Sequence, residues 1–163
     1  MKTLITAVAL FAAILASGQD RTRDYIKSVS EMAVRQSEAY CIPASIILAQ
    51  AVLESGAGTS VLARKANNHF GVKCGSWKGG FIRKTDDKPG ECFRKYGSIE
   101  ESFEDHSRVL CKPRYAFLFA ISISDYRAWA RGLQRAGYAT SSTYAKDLVK
   151  CIEKYGLAEY DRR

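Results

Sequence analysis

Hydrophobic and polar positions along the chain fall into a leader, a run of helical patterns and one short break. Residues 4–15 are apolar almost throughout and are followed by the small residues Ala16, Ser17 and Gly18. From 23 to 40 the pattern turns periodic. Tyr25, Ile26, Val29, Met32, Ala33 and Tyr40 recur at helical spacing, which predicts an amphipathic helix. The next stretch, Ile42-Pro-Ala-Ser-Ile-Ile-Leu-Ala-Gln-Ala-Val-Leu-Glu-Ser-Gly-Ala-Gly58, carries Ile46, Ile47, Leu48, Val52 and Leu53 on nearly every side. Such a helix is buried rather than laid on a surface. Pro43 suits its first turn, and Gly56 suits a left-handed cap just past its end.

A short helix follows through Val61, Leu62 and Ala63. The asparagines and glycine of Asn67-Asn-His-Phe-Gly-Val-Lys73 then predict a tight turn leading into a strand. Residues 77–81 and 91–96 read as the arms of a β-hairpin, with Asp86-Asp-Lys-Pro-Gly90 at its tip. Ser98-Ile-Glu-Glu101 fits a capping box, so a helix is expected from Ser98 to about Leu110. Residues 115–120 form a short aromatic helix. Ser124 caps the next one, with Trp129 and Leu133 on its inner face, and a last helix over 142–155 stops at Gly156. The predicted class is α+β, mainly helical, a single domain with one small hairpin.

Lys2, the apolar run and the small residues after it have the layout of a secretory signal peptide, too short for a membrane span. Residues 1–18 are therefore read as a leader and 19–163 as one domain of roughly 145 residues. The expected protein is exported, periplasmic or extracellular, without a transmembrane segment in its mature form, and a monomer. The formal charge of +8, or +7 without Lys2, favours an anionic partner such as wall polymer, anionic lipid or nucleic acid. Export and the lack of an aromatic-basic repeat argue against nucleic acid. Five cysteines remain, Cys41, Cys74, Cys92, Cys111 and Cys151, so at least one stays unpaired or pairs between molecules. Cys74 and Cys92 flank the hairpin, whose arms would bring them together as a disulfide. No Cys-x-x-Cys is present, and no metal or cofactor is called for.

One residue of the buried helix carries chemistry. Glu54 is the single charge between Cys41 and Ala63. The negative end of the helix dipole and poor hydration both push the pKa of a carboxylate upward there. A carboxylic acid still protonated near neutral pH can serve as a general acid.

Four motifs in order bear on that reading: Ala51-Val-Leu-Glu-Ser-Gly-Ala-Gly58, Asn67-Asn-His-Phe-Gly-Val-Lys73, Phe93-Arg-Lys-Tyr96, and Gly137-Tyr-Ala-Thr140 with Tyr144. Together they resemble the bacterial endo-β-N-acetylglucosaminidases of glycoside hydrolase family 73, over most of the mature chain. The resemblance implies a lysozyme-like fold with a groove between helices and hairpin. It implies peptidoglycan as substrate, cut at the β-1,4 bond between N-acetylglucosamine and N-acetylmuramic acid, with Glu54 as the acid. It gives Tyr138 a catalytic place, orienting the substrate's 2-acetamido group if that group is the nucleophile. Asn68, Phe70, Lys73, Tyr96 and Tyr144 match positions expected to bind the glycan, and Trp77 could add an aromatic face. If a second carboxylate takes part instead, Asp86, Asp87 and Glu91 are the candidates, Asp87 and Glu91 foremost. The basic residues around the hairpin, Lys73, Lys78, Arg83, Lys84, Lys88, Arg94 and Lys95, would face the anionic wall. A lytic transglycosylase or muramidase on the same fold, and a wall-binding protein without activity, are the alternatives.

Overall fold

A computed structural model describes residues 2–85 and 89–162, with the backbone alone for 2–20. Six α-helices and a two-stranded antiparallel sheet follow one another: α1 Lys2–Tyr40, α2 Ala44–Ser55, α3 Val61–Ala66, β1 Phe81–Lys84, β2 Glu91–Arg94, α4 Ile99–Leu110, α5 Tyr126–Arg135 and α6 Tyr144–Tyr155. Two 3-10 segments, Pro113–Ala120 and Leu157–Arg162, complete the described chain. The fold class is the expected one. The first helix is longer than expected, because its backbone runs unbroken from Lys2; no proline interrupts it, and a single Gly18 costs only about 1 kcal/mol. Among the described residues no helix is long and apolar enough to cross a membrane.

The body is organised around α2. Ile46, Ile47, Leu48, Ala49 and Ala51 are fully buried, and α1, α5, α6 and the terminal 3-10 segment pack around them. Pro43 begins the helix but offers no side-chain cap. Asp161, brought back by the terminal 3-10 segment, accepts from the Ser45 N–H at 2.8 Å instead. Gly56 closes the other end with φ 56°, its N–H bonded to Val52 O. The burial of α2 fails only in its last turn: Leu53 is 40% exposed and Glu54 beside it is partly so, because that turn emerges from the core.

The helix α4 starts as expected, with Ser98 accepting from the Glu101 N–H. At α5 the expected cap is off by one residue. Asp125, not Ser124, accepts from the Ala128 N–H, while Ser124 pairs with Ser122. A carboxylate there also meets the positive end of the helix dipole.

The hairpin is shifted in its first arm. Phe81 pairs with Arg94 and Lys84 with Glu91, so β1 begins where the arm was expected to end. Residues 77–80 instead form a bend in which the Trp77 indole N–H donates to Gly80 O at 2.8 Å. The strand expected after Lys73 shrinks to a single bridge between Lys73 and Phe93. Cys74 follows it directly and is joined by a disulfide to Cys92 on β2. Cys41, Cys111 and Cys151 are free thiols, the first two exposed and the third buried.

Candidate active site

A groove of about 640 Å³ runs between the helical body and the base of the hairpin. Glu54 lies in it, at the point where α2 leaves the core. Residues 70–73 and Arg94 form one wall; Lys112, Arg114, Tyr115 and residues 137–140 form the other.

Glu54 is held by a line of buried polar groups. The Tyr144 hydroxyl donates to Glu54 Oε1 at 3.0 Å. Tyr144 in turn accepts from Gln50 Nε2 at 2.9 Å, and Gln50 Oε1 accepts from His106 Nε2 at 3.0 Å. Three helices supply these groups. Gln50 and Glu54 share one face of α2 by their i, i+4 spacing, His106 comes from α4, and Tyr144 opens α6. Gln50 and His106 are fully buried and Tyr144 is 6% exposed. Burial, then the nearby Glu54 charge, raises the pKa of Tyr144. Burial lowers that of His106 to about 3, so its ring is neutral across the physiological range.

Tyr138 stands beside this line. Its ring stacks on Tyr144 at 5.6 Å and 15°, and it reaches the groove. The turn that presents it needs a left-handed residue, which Gly137 supplies at φ 69°. Arg114 Nη2 grips the same turn by donating to Ala136 O and Gly137 O, both at 2.7 Å. Burial, followed by Tyr144 and Glu54, raises the pKa of Tyr138 well above its ordinary value. It therefore remains a phenol.

The hairpin wall is held by charge. Arg94 Nη1 meets Asp105 Oδ2 at 2.8 Å, and the Tyr96 hydroxyl donates to the same carboxylate oxygen at 2.5 Å. Lys73 Nζ pairs with Glu91 Oε1 at 2.7 Å. Asn68 ties the turn, its Nδ2 donating to Val72 O and Arg94 O and its Oδ1 accepting from the Val72 N–H.

A family model described as mannosyl-glycoprotein endo-beta-N-acetylglucosaminidase matches residues 30–157. The chain belongs to the glucosaminidase family. Among curated relatives, it is 36% identical to exo-glucosaminidase LytG of Bacillus subtilis over 154 residues, 87% of this chain and 54% of that protein. It is 37% identical to peptidoglycan hydrolase FlgJ of Salmonella typhimurium, over 82% of this chain and 46% of that one. The chain thus spans about half the length of the curated relatives it matches. Among solved structures, a peptidoglycan hydrolase from Sphingomonas sp. A1 superposes with a TM-score of 0.73 at 32% identity, covering 85% of this chain and 92% of the other.

Against this glucosaminidase frame the expected residues separate. Glu54, Phe70, Lys73 and Tyr138 line the groove. Tyr144 does not; it is buried behind Glu54 and bonded to it, so it supports that carboxylate rather than a sugar. Asn68, 1% exposed, has both ends of its amide spent on the turn and offers nothing to a glycan. Tyr96 is 3% exposed with its hydroxyl on Asp105, and the Trp77 ring is covered by Arg94 at 5.1 Å and packed edge-on against Tyr96 at 5.7 Å. Neither gives the aromatic platform expected. Glu91 is half-buried, paired with Lys73 and not among the groove-lining residues. Asp86, Asp87 and Lys88 lie outside the described residues.

Sequence reasoning missed Gln50, His106, Asp105 and Arg114. Two of these left a signal: Gln50 is the one amide inside the apolar α2, and His106 shares its face of α4 with Phe103 and Leu110 at helical spacing. Nothing local marks Asp105 or Arg114, whose partners lie 9 to 23 residues away.

Proposed function

We propose that the protein hydrolyses the glycan of peptidoglycan as an endo-β-N-acetylglucosaminidase, with Glu54 as the general acid. The observation that carries this reading is a carboxyl group in a polysaccharide-sized groove, gripped through Oε1 by a buried phenol. A fixed acid within reach of the departing glycosidic oxygen is what cleavage at an acetal requires. The family match and the relatives named as glucosaminidase and peptidoglycan hydrolase give the substrate class.

For the second catalytic function we favour the substrate's own 2-acetamido group. Among the described residues Glu54 is the sole carboxylate lining the groove. The acetamido carbonyl oxygen would attack C1 as the C1–O bond breaks, Glu54 giving its proton to the leaving oxygen. Water would then open the cyclic intermediate, returning a proton to Glu54 and retaining the anomeric configuration. Tyr138, neutral and firmly seated, would orient the acetamido group. The cations Lys73, Lys112 and Arg114 along the walls suit the carboxylates of the peptide stems.

Mass spectrometry of peptidoglycan digested by the wild type tests the reading. New reducing ends on N-acetylglucosamine in fragments of varied length are expected. Reducing N-acetylmuramic acid would instead make it a muramidase, anhydro ends a lytic transglycosylase, and single residues released from chain ends an exo-acting enzyme. No new ends at all would leave a wall-binding protein.

A further inference from the structure

The three hydrogen bonds that end on Glu54 have a direction, and the direction is set at their far end. The Gln50 amide could face either way between its neighbours. With its carbonyl toward His106, the His106 Nε2–H donates to Gln50, Gln50 donates to Tyr144, and the Tyr144 hydroxyl keeps its hydrogen for Glu54. With the amide turned over, Tyr144 would give its hydrogen to Gln50 and have none for Glu54. His106 would then accept at Nε2 and carry its proton on Nδ1.

His106 Nδ1 decides between the two. It is buried without a partner, on a ring stacked against Phe70 at 3.9 Å and 16°. An orphaned buried N–H is rarer and costlier than an orphaned acceptor. The bare lone pair therefore belongs on Nδ1 and the proton on Nε2, which orients the whole line toward Glu54. We propose that His106 and Gln50 are positioning residues which, acting through Tyr144, reserve Glu54 Oε1 as an acceptor and so place the acid's proton on Oε2. This rests on the reading of Glu54 as general acid. A proton shared between both oxygens would spend part of its time facing Tyr144, where it protonates nothing.

Long-range nitrogen–proton NMR correlations of the labelled wild-type protein report the His106 tautomer directly. The Nε2–H form is expected; the Nδ1–H form would overturn the proposal whatever the enzyme's activity. Kinetics on peptidoglycan supply the second arm. His106→Phe keeps a ring but removes the donor, and should lower kcat on the order of tenfold with KM unchanged. His106→Gln, which restores an N–H near the same place, should recover most of that loss. A folded His106→Phe protein with wild-type kcat would contradict the role. An inactive wild type would defeat the proposed function, while the tautomer measurement would still stand on its own.

A second inference rests on different residues, at the contact of α1 with α4. Along this contact Gln36 and Tyr40 both bond Glu104, and Arg108 Nε reaches the Tyr40 hydroxyl at 3.4 Å and Glu104 at 3.1 Å. The next residues along these two helices are exposed thiols, Cys41 beside Tyr40 and Cys111 one turn beyond Arg108. The two sense each other electrostatically: after burial, the charge of Cys41 raises the pKa of Cys111. Cys151 is buried, its pKa raised to about 11 by that burial, and takes no part. We infer that Cys41 and Cys111 form a second disulfide by exchange with an external disulfide. One thiolate would attack that disulfide and displace a thiolate; the other would then attack the mixed disulfide. Two cysteine thiols are oxidised, and one external disulfide is reduced to two thiols.

Treatment of the purified protein with oxidised glutathione, followed by peptide mapping without reduction, tests this. A peptide cross-linking Cys41 to Cys111 is expected in the monomer, lost in Cys41→Ser, with a Tm raised by several degrees that falls back in a mild reductant. Glutathione adducts on both cysteines, unmodified thiols, or a disulfide-linked dimer would each contradict it.

Discussion

The two walls of the groove are held by opposite means. On the helical side Tyr144, Gln50 and His106 form a line shut inside the core that ends on Glu54 at the groove, drawn from three helices, each link at 2.9 to 3.0 Å. On the hairpin side Lys73 and Glu91 pair in view of solvent, the lysine side chain 47% exposed, while Arg94 and Asp105 pair largely out of solvent. Buried polar groups have no water to fall back on, so the first wall has one geometry; an exposed ion pair such as Lys73–Glu91 contributes about 0 to 1 kcal/mol and yields to salt. On the proposed function the acid belongs to the wall that cannot rearrange.

Substitutions should separate the walls in graded fashion. Glu54→Gln preserves shape and should cost about 10³-fold in turnover on peptidoglycan while leaving Tm within a degree or two, checked by reducing-end assay and melting. Tyr138→Phe removes one hydroxyl and should lower kcat about 10²-fold with the fold intact; an unchanged rate would take Tyr138 out of the mechanism. Asp105→Asn strips Arg94 and Tyr96 of their shared carboxylate. It should destabilise by about 2 kcal/mol in chemical denaturation and raise KM more than it lowers kcat.

The pH dependence of stability probes the buried wall more gently. His106 has an ordinary pKa of 6.5 when unfolded and about 3 when folded, because burial disfavours its charge. Between these values the unfolded chain binds the extra proton, so stability is full above about pH 6.5 and falls as pH drops toward 3. The slope is up to about 1.4 kcal/mol per pH unit. His69, also lowered by burial, adds in the same direction. Denaturant titrations between pH 4 and 7 should show a shallower slope for His106→Gln. The smallest effect is expected at Lys73→Ala: under 1 kcal/mol in stability, but weaker wall binding whose difference from wild type vanishes at high salt.

The helical wall was also the more legible in the sequence. An apolar helix with one carboxylate at its end, and a glycine to close it, draws attention to Glu54, and the four ordered motifs, not the local pattern, single it out as the candidate acid. The helices are readable because their periodicity is local, and the differences lie at their ends: α1 begins at Lys2 rather than near residue 23, and Asp125 replaces Ser124 as a cap, where two adjacent residues can each do the work. The hairpin was legible in kind but not in register. Residues 77–80 carry strand-like aromatics and glycines, yet the Trp77 indole bonding to Gly80 turns them into a bend. Tyr96, Asn68 and Tyr144 are engaged with buried partners rather than displayed in the groove, for a common reason. A polar side chain suited to a sugar is equally suited to a buried partner, and here those partners are Asp105, Val72 and Glu54.

The most direct test of proton donation by Glu54 compares two leaving groups. Glu54→Gln should be crippled on peptidoglycan, whose departing sugar hydroxyl must be protonated. It should be impaired far less on an aryl β-glycoside of N-acetylglucosamine oligomers, whose acidic phenol departs without help. Equal losses in kcat/KM, which reports the departure of the leaving group, on both substrates would contradict the account.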